Sequence, residues 1–410
     1  MDILTLDQLD QWLSNPSRMP VTISGLDLTL RTQEVVGVDL TGCTLLGCVL
    51  NGDIWAQSQA QGASVLVGES GMPFDPARAT LYTVDDLYDR YDPEDSLPSW
   101  RASFDYRAYL WFMDPEENLP LRLSTGQAMQ ARLHDTAIEG SVARFIEKTG
   151  KPLVGFMGGH DTPRDAQVFA TIAELARRMT RSGQLVLTGG GPGLMEAANL
   201  GAFLAPFPDD ILAEAVAALG AAPKYNHPDW LSTAWNLRER LLDGGTVSPD
   251  SESLGIPTWL YGHEPPNVFA THQAKMFYNS LREDGLITLA GAGLIIGPGN
   301  AGTVQEVFQD ATQNYYRKPG TKPTPIALLG EAYWSRPAED GPDPIGRTKP
   351  LKPLLMALAG EKPKTDWSSA VLITDDIDAI AELILPSSEK EVGKESLTRG
   401  EIWRAKISAR

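Results

Sequence analysis

Residues 297–306 read Gly-Pro-Gly-Asn-Ala-Gly-Thr-Val-Gln-Glu, directly behind the apolar run Leu294-Ile295-Ile296. This order predicts a β-strand, a glycine-rich turn and a helix that carries Glu306 in its first turns. Such a turn aligns backbone N–H groups at a helix N-terminus, where hydrogen bonds and the helix dipole hold a phosphate. A dinucleotide-binding turn has no use for a carboxylate close behind the phosphate loop, whereas an enzyme that cuts a glycosidic bond beside a phosphate does. Glu306 is therefore a candidate catalytic residue.

A second glycine-rich segment repeats this order earlier in the chain, where residues 187–196 read Leu-Thr-Gly-Gly-Gly-Pro-Gly-Leu-Met-Glu. Around the two segments, apolar runs alternate with amphipathic stretches. This alternation predicts an α/β protein with a Rossmann-like, doubly wound parallel sheet and helices on both faces. The predicted strands are 153–157, 185–187, 258–261, 294–296, 326–329 and 371–373. The predicted helices are 125–148, 166–182, 194–204, 235–242, 268–282, 303–316 and 377–385.

The sequence predicts three parts: an N-terminal accessory region at 1–148, a core at 149–386 with an insertion at about 206–265, and a charged tail at 387–410. Within the accessory region, apolar residues recur every fifth position from Val35 to Trp55. This rhythm fits short pentapeptide-like β coils, whose repeats stack a narrow core, and it fits an ordinary pair of strands with glycine turns equally well. If the coils form, Cys43 and Cys48 are expected to fill small spaces in their core.

The composition excludes several classes of function. The 410 residues carry a net charge of −18, which argues against nucleic acid and anionic membranes as partners. No apolar stretch approaches the ~20 residues that span a bilayer, and the N-terminus lacks a signal-peptide pattern. The two cysteines form no disulfide framework. We therefore expect a soluble cytoplasmic protein.

Together the two glycine-rich segments resemble the LONELY GUY family, formerly labelled lysine decarboxylases. Its pattern Pro-Gly-Gly-x-Gly-Thr-x-x-Glu falls on residues 298–306, with Asn300 in place of the second glycine. Asn tolerates left-handed backbone angles, so we expect the loop shape to be kept. The family segment Gly-Gly-Gly-x-x-Gly-Leu-Met is matched at 189–195 with one residue fewer. Family members are phosphoribohydrolases of nucleoside 5′-monophosphates, and the wider group includes bacterial nucleotide nucleosidases. The resemblance covers roughly residues 150–385.

The resemblance implies a set of site residues. Glu306 takes the catalytic position, and Arg282, 24 residues earlier, corresponds to a family arginine with an offset of one residue. The family's Arg-Lys pair is Arg282-Glu283 here, so the lysine is not retained. The expected substrate-binding residues, some from the motifs and some from the turn after the first core strand, are Gly158, Gly159, Gly189, Gly190, Gly191, Met195, Gly299, Asn300, Ala301, Gly302, Thr303 and Thr312.

Several of these residues have alternative interpretations. The alternative interpretation of Arg282 is a solvated arginine at the end of the helix 268–282, and Lys275 and His272 are lesser candidates for its role. Thr312 fits a helix-surface threonine as well as a substrate contact. Asp310 is expected on a solvated helix face. Gly302 is expected to need either a positive φ or close approach of the backbone to the ligand.

Other classes of site fit the sequence less well. Residues 297–302 formally satisfy G-x-G-x-x-G, but the acid that should follow about 20 residues later is missing, because Glu331 lies too far along. No Gly-Lys-Ser/Thr follows either glycine run, the five histidines lack metal-binding spacing, and no Ser-x-His-Lys segment suggests pyridoxal phosphate. We therefore expect no cofactor and no metal.

The leading hypothesis is hydrolysis of the N-glycosidic bond of a nucleoside 5′-monophosphate, such as AMP, to free base and ribose 5-phosphate. A non-catalytic nucleotide-binding regulatory protein is the first alternative, favoured by Asn300 and the missing lysine, and a dinucleotide-dependent oxidoreductase is the second. We also expect a homodimer or higher homo-oligomer. The run 269–278 is apolar on more than one helical face, which suits a subunit contact, although burial beneath the N-terminal region would explain it equally well.

Overall fold

The computed structural model describes residues 2–15, 18–66, 71–337 and 348–385, so the predicted tail at 387–410 lies outside the described residues. The chain begins with a small parallel sheet, whose strands pair in sequence order. These strands are β1 (Asp2–Ile3), β2 (Thr22–Ser24), β3 (Thr44–Leu46) and β4 (Ser64–Leu66). The helices between them are α1 (Leu6–Ser14), α2 (Thr32–Val35) and α3 (Gly52–Gln61).

This small sheet has a hydrophobic cluster of its own. Ile23 pairs with both Ile3 and Leu45 in register, and all three side chains are fully buried. Cys43 and Cys48 are buried in the same cluster. The segments between the described strands contain helices, so the successive β coils predicted from the five-residue rhythm are not formed there.

The next part of the chain packs onto the larger core. It contains α4 (Val84–Leu87), α5 (Ser96–Ala102), α6 (Phe104–Phe112), the two-stranded hairpin β5 (Met113–Asp114) and β6 (Leu119–Pro120), and α7 (Thr125–Thr149). A capping box between Ser124 and Gln127 starts α7, and Gly150 at φ +62° ends it. Tyr82, Tyr109 and Ile138 belong to the same buried cluster as the main sheet, whereas the separate cluster ends at Ala63. The change from one hydrophobic cluster to the other therefore comes earlier in the chain than the predicted end of the accessory region at residue 148.

The main sheet is entirely parallel and contains seven described strands. They are β7 (Leu153–Met157), β8 (Leu185–Thr188), β9 (Ser253–Gly255), β10 (His272–Gln273), β11 (Gly293–Ile296), β12 (Ile326–Leu329) and β13 (Val371–Thr374). Their order is β10-β9-β8-β7-β11-β12-β13, so the direction of winding reverses between β7 and β11. Strands β7, β8, β11 and β12 are buried along their whole length, as apolar runs covered on both faces should be.

Helices flank this sheet, which gives the predicted Rossmann-like α/β fold. They are α8 (Gln167–Arg181), α9 (Leu194–Phe203), α10 (Ile211–Leu219), α11 (Trp230–Leu242), α12 (Asn279–Leu289), α13 (Ala301–Tyr315), α14 (Glu331–Ser335), α15 (Lys352–Gly360) and α16 (Ile377–Ile384). No helix in the described part of the chain is both long enough and apolar enough to cross a bilayer.

The predicted strand at 258–261 is wrong. Residues Trp259–Tyr261 form a 3₁₀ turn, because the Leu260 N–H donates to Thr258 Oγ1 (3.1 Å) and the side chain competes with strand pairing. The strand of this region is β9 instead, and it joins the main sheet. Residues 206–265 are therefore partly an element of the core rather than a pure insertion.

The predicted helix at 268–282 is also wrong over most of its length, because α12 begins only at Asn279. Before α12, buried side chains accept hydrogen bonds from the backbone N–H groups. Asn267 Oδ1 accepts those of Phe269 and Ala270. Asp135 Oδ1 and Oδ2 accept those of Phe277 and Tyr278, each at 2.9 Å. The run is apolar on more than one face because most of it is buried in the core, where Val268, Phe269, Ala274, Met276 and Phe277 belong to the main cluster. It therefore supplies no helical subunit face, and self-association stays a prediction.

Candidate functional site

Three loops meet where the winding of the main sheet reverses, beyond the carboxyl ends of β7, β8 and β11. The Gly159 N–H donates to Pro298 O (2.9 Å), which joins the first loop to the third. The Leu194 N–H donates to Gly159 O (3.2 Å), which joins the first loop to the second. A switch point of this kind is where open parallel sheets bind their ligands.

A cavity of about 250 Å³ opens at this junction. Ten of the predicted site residues line it: Gly158, Gly159, Gly189, Gly191, Met195, Arg282, Asn300, Gly302, Thr303 and Glu306. Gly190, Gly299 and Ala301 lie in the same two turns without lining the cavity. Thr312 does not join them, because it is exposed farther along α13 and its hydroxyl donates to Phe308 O (2.7 Å).

Gly299 is the position in the glycine turn after β11 that requires glycine. A Cβ there would overlap Thr303 Oγ1 and lie 2.8 Å from the Gly159 nitrogen, in the junction between two loops. Gly302 differs from the prediction: it lies in the first turn of α13, and a Cβ there would meet nothing within 4 Å. Asn300 caps α13 with extended angles (φ −87°), so the left-handed tolerance of Asn is not needed. Asn at this position therefore carries no backbone strain.

We expect Gly299→Ala to lower the free energy of unfolding by about 1–3 kcal/mol, because the added methyl has to displace Thr303 or the neighbouring loop. Gly302→Ala should be neutral or stabilising by up to about 1 kcal/mol, because Ala is the better helix residue and the space is open. Urea unfolding of the two variants measures both effects. If the two variants had equal free energies of unfolding, the junction would accommodate the added methyl group at residue 299 without a measurable cost.

Glu306 lies in the second turn of α13, half-buried and facing the cavity. Burial raises the pKa of its carboxyl to about 7; the nearby Arg282 guanidinium opposes this shift and Glu283 adds to it. No other described residue donates a hydrogen bond to the carboxylate. At neutral pH the group therefore exchanges protons readily, which suits a general base.

The raised pKa predicts a stability effect with a defined sign. Because the pKa of Glu306 in the folded protein (about 7) lies above its ordinary value of 4.5, the unfolded chain loses this proton first as pH rises. The folded state is destabilised progressively between pH 4.5 and 7 and fully above pH 7. Glu306→Gln should match the parent at pH 4.5 and exceed its free energy of unfolding at pH 8 by up to about 3 kcal/mol. Denaturant titrations at both pH values, with the exposed Glu331→Gln as control, measure this; a pH-independent difference would contradict it.

Arg282 is buried in the first turns of α12, not solvated at a helix end as the alternative interpretation had it. Its Nε donates to Ile256 O (3.0 Å), which fixes the direction of the side chain. A Cβ added to Gly189 would lie 3.0 Å from Nη2, so the guanidinium lies against the glycine turn after β8. Nη1 lies 3.9 Å from Glu283 Oε1, and neither terminal nitrogen donates a hydrogen bond to another described residue. Because Arg282 lines the cavity, these hydrogen-bond donors suit an anion bound there.

The lesser candidates for the role of Arg282 lie elsewhere. Lys275 is completely buried and pairs with Asp105, and burial lowers the pKa of its ammonium. His272 stacks on Phe145 with ring centroids 4.3 Å apart. Neither lines the cavity.

Asp310 is not on a solvated face. It is buried with Val307 and Asn314 on the core side of α13, and burial raises the pKa of its carboxyl well above the usual value. The Asn314 amide donates to Asp310 Oδ2 (3.3 Å) and to Thr324 O (2.9 Å), so it links Asp310 to the segment that leads into β12. Its role is structural.

Seven further residues line the cavity outside the predicted set: His160, Pro257, Thr258, Tyr261, Glu264, Pro266 and Glu283. Most come from the stretch after β9, where the sequence pattern wrongly predicted a strand at 258–261 and no motif pointed to these residues. Glu283 accepts hydrogen bonds from Asn279 Nδ2 (2.7 Å) and Gln305 Nε2 (2.9 Å), so it joins α12 to α13. In the described part of the chain no group of three or more His, Cys, Asp or Glu is placed to hold a metal.

Comparisons with known proteins leave the family open. No family model matches the chain, and no curated protein matches it. Among solved structures, the molybdenum cofactor carrier protein from Chlamydomonas reinhardtii is similar at a TM-score of 0.32 and 19% identity, over 57% of this chain and 98% of that one. The order and direction of the strands themselves define the fold.

Proposed function

We propose that this chain hydrolyses the N-glycosidic bond of nucleoside 5′-monophosphates, as members of the LONELY GUY family do, and releases free base and ribose 5-phosphate. One observation carries the proposal: Glu306 and Arg282, separate in sequence, line one cavity together with both glycine turns. The carboxylate, the cation and the phosphate-binding turns that this chemistry requires are thus brought within reach of one small ligand.

The phosphate is expected at the start of α13. Asn300 caps this helix without a side-chain hydrogen bond, and the first-turn residues Gly302 and Thr303 line the cavity. Unengaged N–H groups and the helix dipole favour an anion there. The free nitrogens of Arg282 add a fork of donors for the same group.

Glu306 supplies the chemistry in this proposal. Departure of the base leaves an oxocarbenium-like sugar, which a nearby carboxylate stabilises while it orients and deprotonates the attacking water. A pKa of about 7 lets Glu306 accept that proton at neutral pH. Binding of the remote phosphate fixes the sugar, so its binding energy serves the reaction at C1′.

The size of the cavity favours a mononucleotide over a dinucleotide. About 250 Å³ lies just below the range of roughly 300–1,000 Å³ that is typical of small-molecule pockets. A nicotinamide dinucleotide, which is about twice as large as a mononucleotide, would have to extend out of this open cavity. This observation supports the hydrolase over the oxidoreductase alternative.

The test is incubation with AMP, GMP, CMP and UMP, followed by chromatography for free base. The proposal expects base release from at least one monophosphate and much less from the matching nucleoside, which lacks the phosphate. Binding without release would favour the regulatory protein instead. Binding of NAD(P) with no release would favour the oxidoreductase.

A further inference from the structure

Glu264 is a second carboxylate of the cavity that no motif pointed to. It lies in the stretch His263-Glu264-Pro265-Pro266, and its side chain is 14% exposed. Like Glu306, it receives no hydrogen bond from another described residue. Unlike Glu283, it is therefore free to exchange a proton with a ligand.

The backbone around Glu264 is held on both sides. The Tyr88 hydroxyl donates to Pro266 O (2.5 Å), and the Glu264 N–H donates to Tyr261 O (2.9 Å). The Asn267 N–H donates to Gly190 O (3.0 Å), and its side-chain amide donates to Gly191 O (3.0 Å). These bonds hold the segment that carries Glu264 against the glycine turn after β8. The position of this segment relative to the bound sugar phosphate is therefore set before the ligand arrives.

The charged surroundings of Glu264 come from several elements. His160 Nε2 lies 3.6 Å and His263 Nε2 3.7 Å from Glu264 Oε1. Asp161 beside His160, Arg282 on α12 and Lys275 in the buried run before it also act on the carboxyl. Burial dominates over all of them and raises the pKa of Glu264, while burial and His160 lower the pKa of His263. Burial therefore raises the pKa of both cavity carboxyls, Glu264 and Glu306. Their positions distinguish them: Glu306 follows the glycine turn on α13, whereas Glu264 lies in the segment after β9.

Two carboxyl groups with separate roles are what glycosidic cleavage uses, one as acid and one as base. A purine or pyrimidine leaves poorly as an anion and much better when a ring nitrogen is protonated. We propose that Glu264 is the acid that protonates the departing base, while Glu306 acts on the water. This inference rests on the proposed hydrolysis.

The proposed step balances without a further reactant. The C1′–N bond breaks with its electron pair on the base, and the proton of Glu264 forms the new N–H bond. Water forms the C1′–O bond and gives a proton to Glu306. The proton on Glu306 then passes through solvent, and Glu264 takes one up, which restores both groups.

The experiment compares two substrates that differ in their need for an acid. One is the best nucleoside monophosphate of the panel; the other is 4-nitrophenyl β-D-ribofuranoside 5-phosphate, whose leaving group departs without a proton. Glu264→Gln should lower kcat on the nucleotide about 10²-fold or more and change kcat on the nitrophenyl substrate less than about fivefold. Glu306→Gln should lower both. Glu264→Asp keeps an acid and should recover part of the nucleotide activity.

The controls distinguish failure of the acid role of Glu264 from failure of the proposed hydrolysis. Glu214→Gln removes one exposed carboxylate that pairs with Arg240 outside the cavity, and it should leave both rates unchanged. Equal losses on both substrates in Glu264→Gln would overturn the acid role and indicate that Glu264 binds the sugar or holds the loop. Unchanged rates on both would also overturn it. If the unaltered protein releases base from no monophosphate, the proposed function itself fails, and the acid role fails with it.

Discussion

Replacing Glu306 by Gln should lower kcat for nucleoside monophosphates at least about 10³-fold while monophosphate affinity changes only a few fold. The amide keeps the shape of the side chain but can neither stabilise a developing cation nor accept a proton from water. Because the phosphate is expected at residues 299–303 and at Arg282, ground-state binding does not depend on the carboxylate. Steady-state kinetics of base release, with calorimetric titration of the product ribose 5-phosphate, measure the two effects separately.

A matched control is Glu331→Gln, which removes an exposed carboxylate on α14. Its turnover should equal that of the unaltered protein. Near-normal turnover in Glu306→Gln would contradict the assignment of this residue. Loss of affinity in parallel with kcat would show instead that Glu306 contributes mainly to binding.

Arg282→Ala should lower kcat/KM by about 10²-fold or more, because it removes a buried cation with free donors beside the expected phosphate. It should also move the pKa of Glu306 upward, because the guanidinium is the group that opposes the effect of burial. The acid limb of the pH–rate profile, expected near pH 7 in the unaltered protein, should then shift to higher pH.

Arg282→Lys distinguishes charge from geometry. It keeps the positive charge, so the pH profile should move little, but it loses the Nε bond to Ile256 and the planar fork, so kcat/KM should stay low. Unchanged kinetics in Arg282→Ala would assign phosphate binding to the backbone turns alone. Lys275 and His272 are no substitutes, since neither lines the cavity.

The elements that the sequence predicted well are those with a clear hydrophobic period. Strands β7, β8, β11, β12 and β13 are short apolar runs between turn residues. Helices α8, α9, α13 and α16 show an apolar stripe with recognisable ends. Alternation of the two periods is enough to predict a parallel α/β sheet, because few other arrangements bury both kinds of face.

The elements that the sequence predicted wrongly are those whose backbone bonds to distant side chains. The run 268–278 is apolar enough for a helix, but Asp135 on α7 accepts the N–H groups of Phe277 and Tyr278. The partners are more than 140 residues apart. Local pattern carries no information about such a contact.

For the candidate site, the sequence by itself determined the two glycine turns and Glu306, because local spacing places a carboxylate beside a helix N-terminus. The tertiary structure decided the rest. It brought Arg282 against Gly189, buried Asp310, left Thr312 outside and placed Glu264 in the cavity. The physical reason is that proximity across a sheet, burial and the resulting pKa of a carboxyl depend on packing between distant segments, which no local pattern of residues encodes.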